Sequence, residues 1–498
     1  MSEDDLRGLG LTALISKRLE MVLIKWIWPY IYPHIDPAQL GGVPGCSTSH
    51  YLVNMLHFIL KNLDSNKPTA VIAVLVDFSK AFNRICHNRL LTILADLNIP
   101  SCALKLIASY LTNRRMCVRH SGAVSDFQQT PGGGPQGSLL IVLFFILLVN
   151  DAGRPCPIKP TLPVGSLGPE PSPSFHCPDP DQSLVQPHLH EVLPEDLLHD
   201  QGQAQPIPPC HNSEITDRYK YVDDLSLLEA VSLHKLEKIP PFIGPLNFHE
   251  RHGYFLPKQS SILQHQLQDL AAFTSENLMK INLKKTLTML FNFSKSRSFS
   301  PQLSIQESDN IGVVNQTKLL GLIITSDLSW AEHVNYICKK AAKNLWILIR
   351  FKKLGANTDK LLSVYLLKIR SLLEYAAPVF HSSLTTDQSN QLETMQKKAL
   401  SIIYGNRYTN YKSALEEAGL QRLDARRNLI SLQFAIKSSK NPRHCHMFPT
   451  NPNLRLNSRT PKPFLEHKCK TTRFYKSVIP SMARLLNKHG SFPTVMNL

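Results

Sequence analysis

The chain has 498 residues, 43% hydrophobic and 19% charged, which is ordinary for a soluble globular protein and enough for about three domain-sized units. Its ten cysteines include no C-x-x-C pair, which argues against a zinc ribbon and against a secreted disulfide framework. The net charge of +17 is placed unevenly: from Trp330 onward there are 28 Lys+Arg against 9 Asp+Glu, the distribution of a nucleic-acid clamp.

The start, Met-Ser-Glu-Asp-Asp, lacks the basic and apolar stretches of a signal peptide, so an intracellular protein of nucleus or cytoplasm is expected. An amphipathic helix is predicted over Leu11–Ile31, then a Pro/Gly-punctuated stretch, then a helix over Thr48–Leu63. Val71–Val76 is a β-branched apolar run ending in Asp77, the pattern of a buried strand that delivers one carboxylate at its tip. A helix with Phe82, Ile85, Leu90 and Leu94 on its apolar side is predicted from Ser79 to Leu97. The apolar run Leu139–Val149 is too short to span a bilayer and reads as buried core.

Residues 152–217 hold 14 of the 35 prolines with no sustained periodicity, and are expected to be a disordered insertion or long loop. Beyond it a helix is predicted over Ser260–Lys280, strands over Leu287–Phe293 and Lys318–Ile324, and a long basic helix over Ala331–Leu354. Helices over Asp359–Arg370, Asp387–Tyr404, Lys412–Ala418 and Asp424–Ser438 complete the chain. This order, strands and helices first and basic helices last, predicts an α+β fold with a separate helical region.

Tyr221-Val222-Asp223-Asp224 lies between two short apolar runs, so the two aspartates are expected at a hairpin tip. A solvated Asp-Asp turn is the plainer reading of the dipeptide alone. Adjacent carboxylates repel, however, and Asp77 also ends a buried strand, so three carboxylates could meet at one sheet edge. Two Mg²⁺ ions are the natural occupants, with Mn²⁺ as a substitute. His444, Cys445, His446, His467 and Cys469 are too crowded for a zinc finger and read as a solvated loop.

Five segments, in order, resemble the motifs of reverse transcriptases from non-LTR (LINE-type, jockey-like) retrotransposons. They are Asp77-Phe78-Ser79-Lys80-Ala81-Phe82, Gly134-Pro135-Gln136-Gly137-Ser138, Tyr221-Val222-Asp223-Asp224, Asn282-Leu283-Lys284-Lys285-Thr286 and Leu319-Leu320-Gly321. Arg370–Val379 and Leu392–Ala399 are similar to the thumb region of jockey-like elements. The resemblance implies a right-hand polymerase: truncated fingers (1–70), palm (71–151 and 218–325) divided by the insertion 152–217, and a helical basic thumb and C-terminal region (326–498).

It further implies RNA-directed DNA polymerisation by two-metal nucleotidyl transfer. Asp77, Asp223 and Asp224 would ligate Mg²⁺. Phe82 would exclude a 2′-hydroxyl, and Gln136, Gly137 and Tyr221 would line the nucleotide site. Lys285, rather than Lys284, would protonate pyrophosphate, and Leu320-Gly321 would form a primer grip. The implied partners are an RNA template, a DNA primer and deoxynucleotide triphosphates, with a separate endonuclease and no membrane. The alternative is a catalytically inactive, retrotransposon-derived nucleic-acid-binding protein. Asn83 departs from the family's usual Asp, and the insertion stands where the family has a short connection.

Overall fold

The run Thr69–Asp77 forms strand β1, and both of its faces are covered, which is why its sequence is apolar without alternation. The computed structural model describes residues 13–120, 122–130, 132–135, 137–153, 216–222, 224–233, 237–238, 254–255, 261–294, 299–305, 309–452 and 462–489. Helices α1 (Leu14–Ile31) and α2 (Thr48–Leu63) precede β1, and α3 (His87–Asp96) and α4 (Ser101–Leu111) follow it. Four two-residue strands come next: β2 (Arg115–Met116), β3 (Arg119–His120), β4 (Ala123–Val124) and β5 (Gln128–Gln129). Here β2 pairs with β5 and β3 with β4. The buried helix α5 (Leu139–Leu148) accounts for the apolar run.

After the proline-rich segment come β6 (Thr216–Tyr221) and β7 (Asp224–Ser232), the short pair β8 (Glu237–Lys238) and β9 (Tyr254–Phe255), α6 (Ile262–Glu276), β10 (Leu287–Phe291) and β11 (Gly312–Val313). Strands β6, β7, β1, β10 and β11 lie side by side in that order, antiparallel except for the β10–β11 pair. Val71 and Ala73 face one core together with α2, while Ala70, Ile72, Val74 and Val76 face the other with residues of α1, α3, α4, α5 and α6. The sheet is thus a filled layer between two sets of helices.

The rest is a hairpin, β12 (Gln316–Leu319) and β13 (Leu322–Thr325), followed by helices: α7 (Ala331–Lys353), α8 (Thr358–Val364), α9 (Ser371–Glu374), α10 (Ala377–Phe380), α11 (Thr386–Tyr404), α12 (Tyr411–Glu417), α13 (Leu423–Lys440), α14 (Thr472–Tyr475) and α15 (Val478–His489). The architecture is α+β, with a mostly antiparallel sheet and a helical C-terminal region. No described helix is long and apolar enough to cross a membrane.

Three expectations need correction. Lys318–Ile324 is two strands, because Leu320 (φ 46°) and Gly321 (φ 89°) make the two-residue turn with positive φ that suits the twist of a hairpin. The stretch after Ser79 is a short 3₁₀ turn (Ala81–Arg84), and its helix starts only at His87, because Ile85 and Cys86 are extended. His444 is buried rather than solvated: its ring stacks on His50 at 3.8 Å and its Nε2 lies 3.3 Å from Cys46 Sγ. Residues 154–215 lie outside the described residues, but their flanks meet: Arg218 Nη1 donates to the Gly153 carbonyl at 3.1 Å.

Candidate functional site

Asp77 is the last residue of β1 and Asp224 the first of β7, and the antiparallel register makes them direct partners. Two carboxylates are therefore set opposite each other at one end of the sheet. Asp223 lies outside the described residues. Its neighbours are placed: Tyr221 pairs with Asp224, so Val222 and Asp223 connect the two strands. Val222 has φ 57°, a costly conformation for a β-branched side chain, and strain of this kind concentrates at functional sites. Gly41 makes room for the turn, since a Cβ there would lie 2.4 Å from Val222 N.

The Asn282–Thr286 turn packs under Asp77. Asn282 N donates to the Asp77 carbonyl at 2.7 Å, and Asp77 N donates to Thr286 Oγ1 at 3.4 Å. This contact brings Lys285 Nζ to 4.0 Å from Asp77 Oδ2. The lysine side chain remains 61% exposed, so it can swing toward a substrate without leaving a buried position. Among the described residues no group of three or more His, Cys, Asp or Glu side chains is placed to hold a metal.

The segment carrying Gly137 is held from two sides. Gly134 N donates to the Phe82 carbonyl at 3.2 Å and Gly133 N to the Ile85 carbonyl at 2.9 Å, which ties it to the turn after Asp77. A Cβ on Gly133 would lie 2.8 Å from Asn83 Cα, so this close approach requires glycine. Phe82 is half-buried, its ring 5.3 Å from that of Phe145. Gly137 is exposed at φ 102°; Gln136 lies outside the described residues.

On the other side, buried Glu20 of α1 accepts from Leu139 N (2.7 Å) and Ser138 Oγ (3.0 Å), and Tyr110 Oη donates to Ser138 Oγ at 3.1 Å. A carboxylate at the start of α5 satisfies its orphan N–H groups and complements its dipole. Sequence reasoning passed over Glu20. The available signal was its place on the apolar stripe of α1, with Leu23, Ile27 and Ile31.

Tyr221 is half-buried, with its ring 6.2 Å from Tyr51 and nearly perpendicular to it. Burial pushes its hydroxyl above the usual tyrosine range, with added pressure from Tyr375, Cys46 and Asp224. The preceding Lys220 is buried and was not singled out from sequence. Its Nζ reaches Asp36 Oδ2 (2.7 Å) and the carbonyls of Asn150 (2.8 Å) and Val149 (3.3 Å). Burial alone would raise the Asp36 carboxyl, but the Lys220 and Arg218 charges outweigh it and hold it at about 2. The hairpin is thereby fastened to the α1–α2 connection and to the end of α5.

Leu320 and Gly321 do not share a strand with the aspartates. Their turn is held by Tyr375, whose Oη donates to the Leu320 carbonyl at 3.0 Å and whose ring lies 3.0 Å from where a Gly321 Cβ would sit. Around the β12–β13 hairpin and α7, Lys318 and Lys340 lie over the Tyr336 ring (5.3 and 4.9 Å), and Arg350 lies over Trp346 (4.8 Å). Trp346 is exposed and Tyr336 half-buried, and cations interleaved with aromatic rings can meet phosphates and bases together.

Residues 2–161 match the family described as reverse transcriptase (RNA-dependent DNA polymerase). The chain is similar to a probable RNA-directed DNA polymerase from transposon BS of Drosophila melanogaster, 21% identical over 412 residues, covering 81% of this chain and 36% of that protein. It is also similar to the probable RNA-directed DNA polymerase from transposon X-element of the same species, 30% identical over 151 residues, covering 30% of this chain and 16% of that protein. The chain thus spans about a third or less of the length of these relatives. Among solved structures, telomerase from Candida tropicalis in complex with a TWJ fragment of telomeric RNA aligns with 97% of this chain and 55% of its own, at 9% identity and TM-score 0.37. The apo form of that enzyme gives 11% identity and TM-score 0.35, covering 86% and 59%. At such scores the likeness carries no conclusion.

Proposed function

We propose that this chain, a relative of transposon RNA-directed DNA polymerases, is itself one: it extends a DNA primer on an RNA template with deoxynucleotide triphosphates. The observation that carries this reading is the register of Asp77 opposite Asp224 at one end of the sheet. A carboxylate pair facing across two strands, with a third aspartate next in sequence, is an all-oxygen donor set of the kind that suits Mg²⁺. Asp77, Asp223 and Asp224 would hold two such ions, and Mn²⁺ could replace them. Bound there, Mg²⁺ supplies charge stabilisation at the attacking and leaving oxygens of an in-line displacement.

The chain's own residues account for the rest. The primer 3′-hydroxyl gives its proton to solvent as its oxygen bonds to the α-phosphorus of the incoming nucleotide, and the bond from that phosphorus to pyrophosphate breaks. Lys285 is the proton donor to that leaving group, and its proximity to Asp77 supports the assignment. Phe82 stands as the wall against a ribose 2′-hydroxyl, and Gln136, Gly137 and Tyr221 border the nucleotide. Glu20, Ser138 and Tyr110 keep the Gly137 segment in position. Leu320-Gly321, clasped by Tyr375, steadies the primer end.

In this reading residues 1–70 are fingers, 71–151 and 218–325 palm and 326–498 thumb and tail. The insertion expected over 152–217, which leaves the palm at one point, narrows to 154–215, because Ala152 is buried in the core and Thr216–Asp217 open β6. The contact between Gly153 and Arg218 supports the single exit point. The basic C-terminal helices would grip the RNA–DNA hybrid through its phosphates. A nuclear or cytoplasmic protein working with a separate endonuclease fits the same reading. The test is primer extension by the full chain on an RNA template with deoxynucleotides and Mg²⁺, beside an Asp223→Asn/Asp224→Asn variant. Extension confined to the unmodified chain is expected. Hybrid binding without any extension would leave only a nucleic-acid-binding protein.

A further inference from the structure

The hairpin that carries Asp224 begins with β6, the edge strand of the sheet, so β7 holds β6 from one side only. Along its other side runs the loop of residues 35–41, between α1 and α2. Lys220 N donates to the Ala38 carbonyl at 3.0 Å, and Leu40 N donates to the Lys220 carbonyl at 2.8 Å. This parallel bridge covers the edge of β6 one residue before Tyr221. Gly41 follows it, so close that a Cβ there would lie 2.7 Å from the Tyr221 carbonyl carbon and 2.4 Å from Val222 N. A shift of the loop therefore reaches the hairpin turn through backbone contacts.

The loop is gripped from its far side by Arg443, 404 positions from Gln39 in sequence. Arg443 Nη1 donates to the Gln39 carbonyl at 2.9 Å and Nη2 to the Ile35 carbonyl at 3.3 Å, while the Asp36 carbonyl lies 3.5 Å from Nη1. The same guanidinium lies over the Tyr32 ring, 5.2 Å from its centroid. A rigid planar fork can span both ends of the loop's turn; the compact ammonium of a lysine cannot. Arg443 is itself fixed just beyond α13. Its N donates to Asn441 Oδ1 at 2.9 Å, and the next residue, buried His444, has Nε2 3.3 Å from Cys46 Sγ.

We propose that Arg443 is a positioning residue for nucleotidyl transfer: it holds the 35–41 loop, the loop holds β6 and Val222, and Asp223 and Asp224 are thereby set relative to Asp77. The catalytic consequence rests on the polymerase reading, whereas the mechanical link from Arg443 to the hairpin does not. Metal-assisted displacement tolerates little error in ligand placement, and a shift of about 1 Å can cost on the order of 10²-fold in rate. Because the effect runs through the aspartates, it falls on kcat and not on the KM for primer.

The test compares Arg443→Gln with Asp64→Asn in the full chain. Asp64 accepts from Lys470 N (2.8 Å), Thr471 N (2.7 Å) and Thr471 Oγ1 (2.6 Å), so its variant also loosens the C-terminal region but leaves the loop contacts intact. Hydrogen–deuterium exchange over β6 and primer extension are read on the same preparations. Arg443→Gln should speed exchange in β6 about tenfold, as loss of two hydrogen bonds predicts. It should lower kcat at least about tenfold and leave the primer KM within about twofold. Asp64→Asn should lower the Tm and change none of these. Arg443→Lys keeps the charge over Tyr32 and loses the fork; it should show the same effects to a smaller extent, and it serves if the glutamine variant does not fold. Unchanged β6 exchange in a folded Arg443 variant, or an equal rise in Asp64→Asn, would overturn the link. Faster exchange with kcat intact would overturn the positioning role. Faster exchange in a protein whose unmodified form never extends a primer would instead count against the polymerase reading and leave the link standing.

Discussion

Asp77 and Asp224 are direct cross-strand partners, so the chain sets two carboxylates against each other at the end of its central strand pair. Like charges directly opposite are destabilising in a sheet, and a cation between them removes that cost. Mg²⁺ should therefore stabilise the fold, by about 1.4 kcal/mol at tenfold excess over its Kd. The Tm of the unmodified chain should rise with Mg²⁺, and that of Asp77→Asn should not. A similar rise in both would detach the metal from this pair.

Lys220 joins the β6–β7 hairpin to Asp36 and to the end of α5 from a position with 2% side-chain exposure. Lys220→Met removes the closest cation from buried Asp36, and removing one partner of a buried pair costs on the order of 3 kcal/mol. Chemical denaturation should show a loss of that size. Asp36→Asn added to it should recover part of the loss, because the stranded charge is then gone. Additive losses from the two substitutions would contradict the account.

Asp217, buried beside Tyr219, has its carboxyl raised to about 6 by desolvation, against hydrogen bonds from Tyr219 and the backbone and the Arg218 charge that pull it down. The folded value lies above the unfolded one, so this group's stabilisation is fully present below pH 4 and is lost as pH rises through 6. Stability should accordingly grow by a few kcal/mol at most between pH 7 and pH 4 from this group. Asp217→Asn, measured by urea denaturation across that range, should flatten this contribution. An unchanged pH slope would show that Asp217 titrates normally.

Tyr375 holds the Leu320-Gly321 turn through one hydroxyl and one ring face. Tyr375→Phe keeps the ring and loses the hydrogen bond, worth about 1 kcal/mol. If the turn steadies the primer, the primer KM should rise about fivefold with kcat nearly unchanged, since 1.4 kcal/mol is tenfold. A fall in kcat at constant KM would place the effect elsewhere.

What could be read from the sequence follows the range of the forces involved. The strand ending in Asp77 was legible because a buried central strand writes itself as a continuous apolar run. The β6–β7 hairpin was legible because the apolar flanks of Tyr221-Val222-Asp223-Asp224 mark it, whereas the register that sets Asp77 opposite Asp224 joins strands far apart in sequence. The β12–β13 hairpin was missed because Leu320-Gly321 lacks the Asn-Gly or Asp-Gly pair that announces such a turn. Glu20 at Ser138 and Asp36 at Lys220 join positions far apart in sequence, and no local pattern encodes the partner of a buried charge. The burial of His444 was hidden likewise, since its stacking partner His50 belongs to α2.

The most direct test of the central claim is the Asp77→Asn chain, with primer extension on an RNA template and hybrid affinity measured on the same preparation. If Asp77 holds catalytic Mg²⁺, extension should fall by ~10²-fold or more, the equivalent of several kcal/mol of lost charge stabilisation. Hybrid affinity should stay within about twofold, because the proposed grip is through phosphate contacts elsewhere. Extension by Asp77→Asn at the rate of the unmodified chain, or tight hybrid binding by an unmodified chain that never extends, would contradict it.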